Sequence, residues 1–112
     1  MNSADQGVIK SAEIKQLSRL LQYHDGAIVS SVLLKNKGGT VTMFAFDVGE
    51  GLSEHTAPFD ALVLVTDGEA DVEIAGEGFK LRQGETIILP ANQPHAVRAA
   101  TKFKMLLIMI RA

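Results

Sequence analysis

Two of the chain's three histidines, His55 and His95, stand in matching settings. Each lies in a segment that opens on glycine and leads into apolar residues. Gly49-Glu-Gly-Leu-Ser-Glu-His55 continues through Thr-Ala-Pro-Phe-Asp-Ala61 into Leu62-Val-Leu-Val65, and Gly84-Glu-Thr-Ile-Ile-Leu-Pro90-Ala-Asn-Gln-Pro-His95 continues into Ala96-Val97. Neutral imidazole both donates and accepts hydrogen bonds, titrates near neutrality and binds metals, so two imidazoles in one cavity could anchor a polar ligand or hold an ion. The third, His24, precedes Asp25-Gly26 and reads as an exposed turn residue with no role.

The residues that must position this pair read as strands. Ser11 to Gln22 spaces Ile14, Leu17, Leu20 and Leu21 like a short helix with Ser11 as N-cap and Glu13 in its first turn. From Ala27 onward, short segments rich in Val, Ile, Thr and Phe are punctuated by glycines, the pattern of many strands joined by turns. Ala70, Val72 and Ile74 alternate with Asp71 and Glu73, as in a sheet with one wet face. Leu62 to Val65 and Met105 to Ile110 are apolar on both sides and need cover on both. The pattern predicts an all-β jelly-roll barrel with a short N-terminal helix, in one domain over 1–112.

On these residues the chain resembles the cupins, small jelly rolls with two glycine- and histidine-bearing motifs. Gly49, His55 and Gly68 match the first motif, while its second His position is Ala57 and its Glu position is Ala61. Gly84, Pro90 and His95 match the second, with Asn92 at the turn glycine and Ala99 at the terminal Asn. Asn tolerates the left-handed backbone that glycine supplies there. The likeness spans roughly Val41 to Val97, with the last strand running on to Ile110.

The resemblance implies a barrel interior that holds both histidines and lacks two usual ligands. Metal chemistry needs about three protein ligands. Only His55 and His95 are inherited, and strand parity points Glu54 and Asp60 outward. The absence of Cys and of a His-x-His pair argues against soft-metal and tight zinc binding. Ala57 and Ala61 leave the interior roomier and drier, edged by Val63, Val65 and Val97. Met43, Met105, Met109, Phe44, Phe46 and Phe103 read as core, from which two or three could line the cavity. The expected function is therefore binding of a small, largely apolar molecule with a polar or anionic end held by the imidazoles. The rival from the enzyme class is a divalent-metal-dependent isomerase, decarboxylase or dioxygenase that uses His55 and His95, and a third reading is a dimerisation module.

Composition sets the remaining bounds. At 112 residues and 46% hydrophobic, the chain suits one core. No apolar run reaches the roughly 18 residues of a membrane span, and the start resembles no secretory signal, so a cytoplasmic protein without a membrane partner is expected. A net charge of −2 offers nothing for nucleic acid. Acidic residues crowd Gly38 to Phe79, where Lys and Arg are absent, while Arg98, Lys102, Lys104 and Arg111 leave the C-terminal segment purely basic, which suggests cross-strand pairing on a solvated face. The doubly apolar strands and open edges predict a homodimer, with Val29 to Leu34 as the pairing strand.

Overall fold

The computed structural model describes residues 9–111. Nine strands follow one another: β1 (Ile28–Asn36), β2 (Gly39–Phe46), β3 (Gly51–His55), β4 (Asp60–Asp67), β5 (Glu69–Ile74), β6 (Glu77–Arg82), β7 (Thr86–Leu89), β8 (His95–Ala99) and β9 (Phe103–Ile110). They form a five-stranded sheet in the order β1-β2-β9-β4-β7 and a four-stranded sheet in the order β3-β8-β5-β6. All pairings are antiparallel. This is the expected jelly roll: the inward residues of the two sheets meet and the outward ones face away.

Phe46 and Phe103 stack with centroids 4.5 Å apart in a core shared with Val63, Val65, Val72 and Met105, all essentially inaccessible to solvent. Burial of each such side chain stabilises the fold by about 1.5–3 kcal/mol. β5 alternates as its sequence predicts, with Ala70, Val72 and Ile74 buried and Asp71 and Glu73 exposed. On the wet face Lys80 reaches Asp71 at 3.1 Å and Arg82 reaches Glu69 at 3.7 Å, so the cross-strand partners of these β5 carboxylates are the basic residues of β6 and not those of the C-terminal segment. Exposed pairs of this kind contribute little to stability.

The N-terminal segment differs from expectation. In place of a helix over Ser11 to Gln22 there is one 3-10 turn, Leu17–Arg19, and Ile14 is almost fully exposed. A short isolated helix has few hydrogen bonds to offset its nucleation cost, so docking decides the conformation. The segment lies as a strap across the outer face of the larger sheet, where Leu21 is buried with Leu33, Met43 and Ala45 and flanked by Leu17, Leu20 and Tyr23. Lys104, itself buried, donates from Nζ to the carbonyls of Leu21 at 2.8 Å and Ser18 at 3.2 Å. Tyr23 donates its hydroxyl to Asp67 at 2.5 Å, and Asp67 is the register partner of Lys104. Burial, with that hydrogen bond adding, pushes the Tyr23 hydroxyl pKa up.

β1 is an edge strand, as a partner-pairing strand must be, but the strap already covers part of its outer face: Leu33 is buried and Leu34 exposed. Among the described residues, no helix is long and apolar enough to cross a membrane.

Candidate functional site

β3 ends on His55 and β8 begins on His95, and these two residues face each other in the β3–β8 register. β3 carries a register irregularity between Leu52 and His55, which frees His55 from strict alternation and turns its ring toward the neighbouring strand. His95 follows a turn in which Asn92 holds a left-handed backbone (φ 64°), the role that the sequence assigned to it. The rings meet edge to face at 4.4 Å, with His95 buried and His55 exposed at the mouth.

The hydrogen bonds fix the chemistry of the pair. His55 Nδ1 lies 2.8 Å from the carbonyl oxygen of Ser53, and His95 Nδ1 lies 3.2 Å from that of Gln93. A carbonyl only accepts, so each Nδ1 donates and each Nε2 is left with a lone pair. The two Nε2 atoms face each other at 3.2 Å. Two lone pairs at that distance repel, and the arrangement is satisfied by a cation or a proton placed between them. Burial pushes the His95 pKa down, the neighbouring His55 ring adds to this, and the Gln93 carbonyl opposes it.

Beyond the imidazoles, the cavity is walled by Leu52, Ala57, Phe59, Ala61, Leu89, Val97 and the alternating β9 residues Met105, Leu107 and Met109. Of the residues singled out in the sequence, the structure brings together His55, His95, Ala57, Ala61 and Val97. Val63 is on the same inward face but is fully buried and does not line the cavity; it belongs to the core beneath. Val65 lies in that core as well. Met43 is also placed elsewhere, under the strap. Asp60 is tied outward, with its Oδ1 accepting from the Ala91 amide at 2.8 Å, and neither it nor Glu54 lines the cavity.

The expectation of a roomy interior is corrected. The cavity measures about 40 Å³, far below the roughly 300–1,000 Å³ that encloses a drug-sized ligand. Ala61 sits between its register partners Leu89 and Met109, and both of these larger residues line the same cavity. Sequence reading missed Leu52, Phe59, Leu89 and Leu107. β9 is apolar on both faces, so its sequence does not mark the inward set, and the register that carries Met105, Leu107 and Met109 to the histidines is not local in sequence.

A larger concavity, about 700 Å³, lies on the outer face of the smaller sheet between Gly51, Asp71, Lys80 and Arg98. Its Lys80 and Asp71 satisfy one another, and it contains no imidazole, so the histidine cavity is the better candidate for chemistry despite its size.

Comparison with known proteins agrees with this architecture. Over 93% of its length the chain superposes on 91% of a conserved protein of unknown function from Streptococcus pyogenes, with 30% identity and a TM-score of 0.87. It matches a Cupin 2 conserved barrel domain protein from Leptotrichia buccalis at 43% identity and a TM-score of 0.82, over 85% of this chain but only 46% of that one. A cupin superfamily protein from Desulfitobacterium hafniense gives 25% identity and a TM-score of 0.86 over 93% of this chain and 95% of that one. No match was found among curated proteins. Residues 42–111, from β2 through β9, match the Cupin domain family, and the chain therefore belongs to the cupins.

Proposed function

We infer that this cupin is a small-molecule-binding protein whose polar anchor is the pair His55 and His95. The observation that carries the reading is the pinning of both Nδ1 atoms by backbone carbonyls, which leaves two converging Nε2 acceptors at 3.2 Å. Such a fork takes a hydrogen-bond donor, so the ligand's polar end is a hydroxyl or amine rather than the bare anion that two imidazoles alone would suggest. Only that end fits a cavity of about 40 Å³; a short apolar body would rest at the mouth against Leu52 and Phe59. The test is NMR of the histidine Cε1 protons at pH 8 during titration with n-butanol, n-butylamine and butyrate. The alcohol or the amine should shift both His55 and His95, and butyrate should not. Equal response to all three, or response to none, would overturn the reading.

The enzyme alternative rests on the bite of the fork. Two nitrogens 3.2 Å apart can each lie about 2.0–2.1 Å from one ion at an angle of about 100°. The rest of the donor set does not fit a divalent centre of the usual two-histidine, one-carboxylate kind. Among the described residues no three His, Cys, Asp or Glu side chains converge, and the carboxylate position is Ala61. No catalytic step is therefore derived through such an ion.

A homodimer through β1 and the outer apolar face of the larger sheet belongs to the same proposal, as does a cytoplasmic location. Leu34, Ile88 and Ile110 are exposed on that sheet and would gain cover. Sedimentation should give about twice the chain mass of 12.0 kDa, and a monomer at micromolar concentration would contradict the dimer.

A further inference from the structure

Met105, Leu107 and Met109 line the histidine cavity, and the alternation of β9 carries the next inward position to Arg111. The Arg111 amide donates to the Gly38 carbonyl at 2.8 Å, which extends the β2–β9 pairing one residue beyond Ile110 and Gly39. The guanidinium lies over the Phe59 ring, 5.8 Å from its centroid, and Phe59 is a wall residue of the same cavity. Arg111 is exposed to solvent, and among the described residues no ion pair ties it to a carboxylate. Asp60, opposite Ile110 in the register, belongs to the outward face and has its Oδ1 on the Ala91 amide. A cation with no counter-ion among the described residues thus stands at the rim, on the apolar surface that leads to the two imidazoles.

We propose that the histidine pair and Arg111 are the two ends of one site for a short hydroxy acid, with its hydroxyl on the Nε2 fork and its carboxylate on the guanidinium. The inference rests on the imidazole pair as the polar anchor and names the ligand class that the anchor takes. The hydrocarbon chain between the two ends lies along Phe59 and Leu52. The ends cannot exchange places: the fork of lone pairs accepts and so selects the hydroxyl, whereas the guanidinium only donates and so selects the carboxylate. A neutral hydroxyl enters the apolar cavity at lower cost than an ammonium, which favours a hydroxy acid over an amino acid. The carboxylate stays at the exposed rim and keeps part of its hydration, and the planar guanidinium matches its two oxygens. No Lys or Arg lines the cavity itself, so one negative charge is balanced and a phosphate dianion is not. Stacking on Phe59 holds the guanidinium in place before the ligand arrives.

The experiment follows the histidine Cε1 protons of the full-length chain at pH 8 during titration with n-butanol and with ω-hydroxypropionate, ω-hydroxybutyrate and ω-hydroxypentanoate. At least one hydroxy acid should shift both His55 and His95 and bind about tenfold tighter than n-butanol, the gain expected from one charge-assisted pair. Raising sodium chloride should shrink that gain, because the rim is open to solvent. Arg111→Leu, which keeps an apolar cover on Phe59, should retain the thermal melt and lose the preference for the acid. Arg111→Lys, which keeps the charge without the planar fork, should retain part of it. Hydroxy acids that bind wild type no tighter than n-butanol, or a preference that survives in Arg111→Leu, would overturn the proposal. If n-butanol still shifts both histidines in that case, the carboxylate subsite alone is lost. Histidine signals that ignore the alcohol, n-butylamine and every hydroxy acid overturn the anchor reading with it.

Discussion

Replacing Lys104 by Met removes one ammonium and keeps the stem, which isolates the polar grip on the N-terminal strap. The wild-type ammonium donates to the Leu21 carbonyl at 2.8 Å and the Ser18 carbonyl at 3.2 Å, and lies 5.0 Å from the Tyr23 ring centroid. A hydrogen bond to a charged group contributes about 1.5–3 kcal/mol, and a cation over an aromatic ring about 0.5–1 kcal/mol. Against this stands the relief of no longer burying a charge, which offsets several kcal/mol. The two orphaned carbonyls at the end of the 3-10 turn tip the balance, because a buried acceptor without a partner costs about 1–3 kcal/mol. The net expectation is a loss of about 2 kcal/mol, or a fall in Tm of about 8–16 °C for a domain of this size. Urea unfolding gives the free energy, and hydrogen exchange at residues 17–23 gives its location. A Lys104→Met protein within about 0.5 kcal/mol of wild type, with unchanged exchange in the strap, would refute the argument.

Other perturbations follow from single positions. Gly68 has φ +72°, and a Cβ there would lie 2.0 Å from the Lys102 carbonyl oxygen, so Gly68→Ala should cost well over about 1 kcal/mol in urea unfolding. Asn92→Gly should melt near wild type, whereas Asn92→Val should melt well below it, since a β-branched residue resists the left-handed φ of 64°. The buried His95 has its pKa held below the ordinary 6.5, so the folded state binds its proton less readily than the unfolded chain. Its contribution is fully present above pH 6.5 and is lost as pH falls through the folded value. Urea midpoints should therefore drop on acidification below 6.5, and His95→Phe should flatten that drop.

The fold was legible because its signals are local. Alternation in β5, glycines at the turns, and the two motifs around His55 and His95 each act within a few residues. The N-terminal helix was misread because docking of Leu21 and the Lys104 grip, made across more than eighty residues, override the local spacing of its leucines. The site was legible in part for the same reason. His55, His95, Ala57 and Ala61 occupy motif positions, but the placing of Leu89 and Met109 on the cavity wall depends on strand register. The tautomers depend on two carbonyls, of Ser53 and Gln93, whose residue types carry no signal at all. Whether Val63 lines the cavity or the core is decided by depth along β4, which alternation cannot distinguish.

The fork of Nε2 acceptors is the basis of the binding reading, and two-bond nitrogen–proton NMR of the histidine rings observes it directly. On metal-free protein at pH 8, both His55 and His95 should show the pattern of the Nδ1–H tautomer, with Nε2 unprotonated. An Nε2–H tautomer in either ring would mean that one Nδ1 does not donate to its backbone carbonyl, and it would contradict the account at its centre.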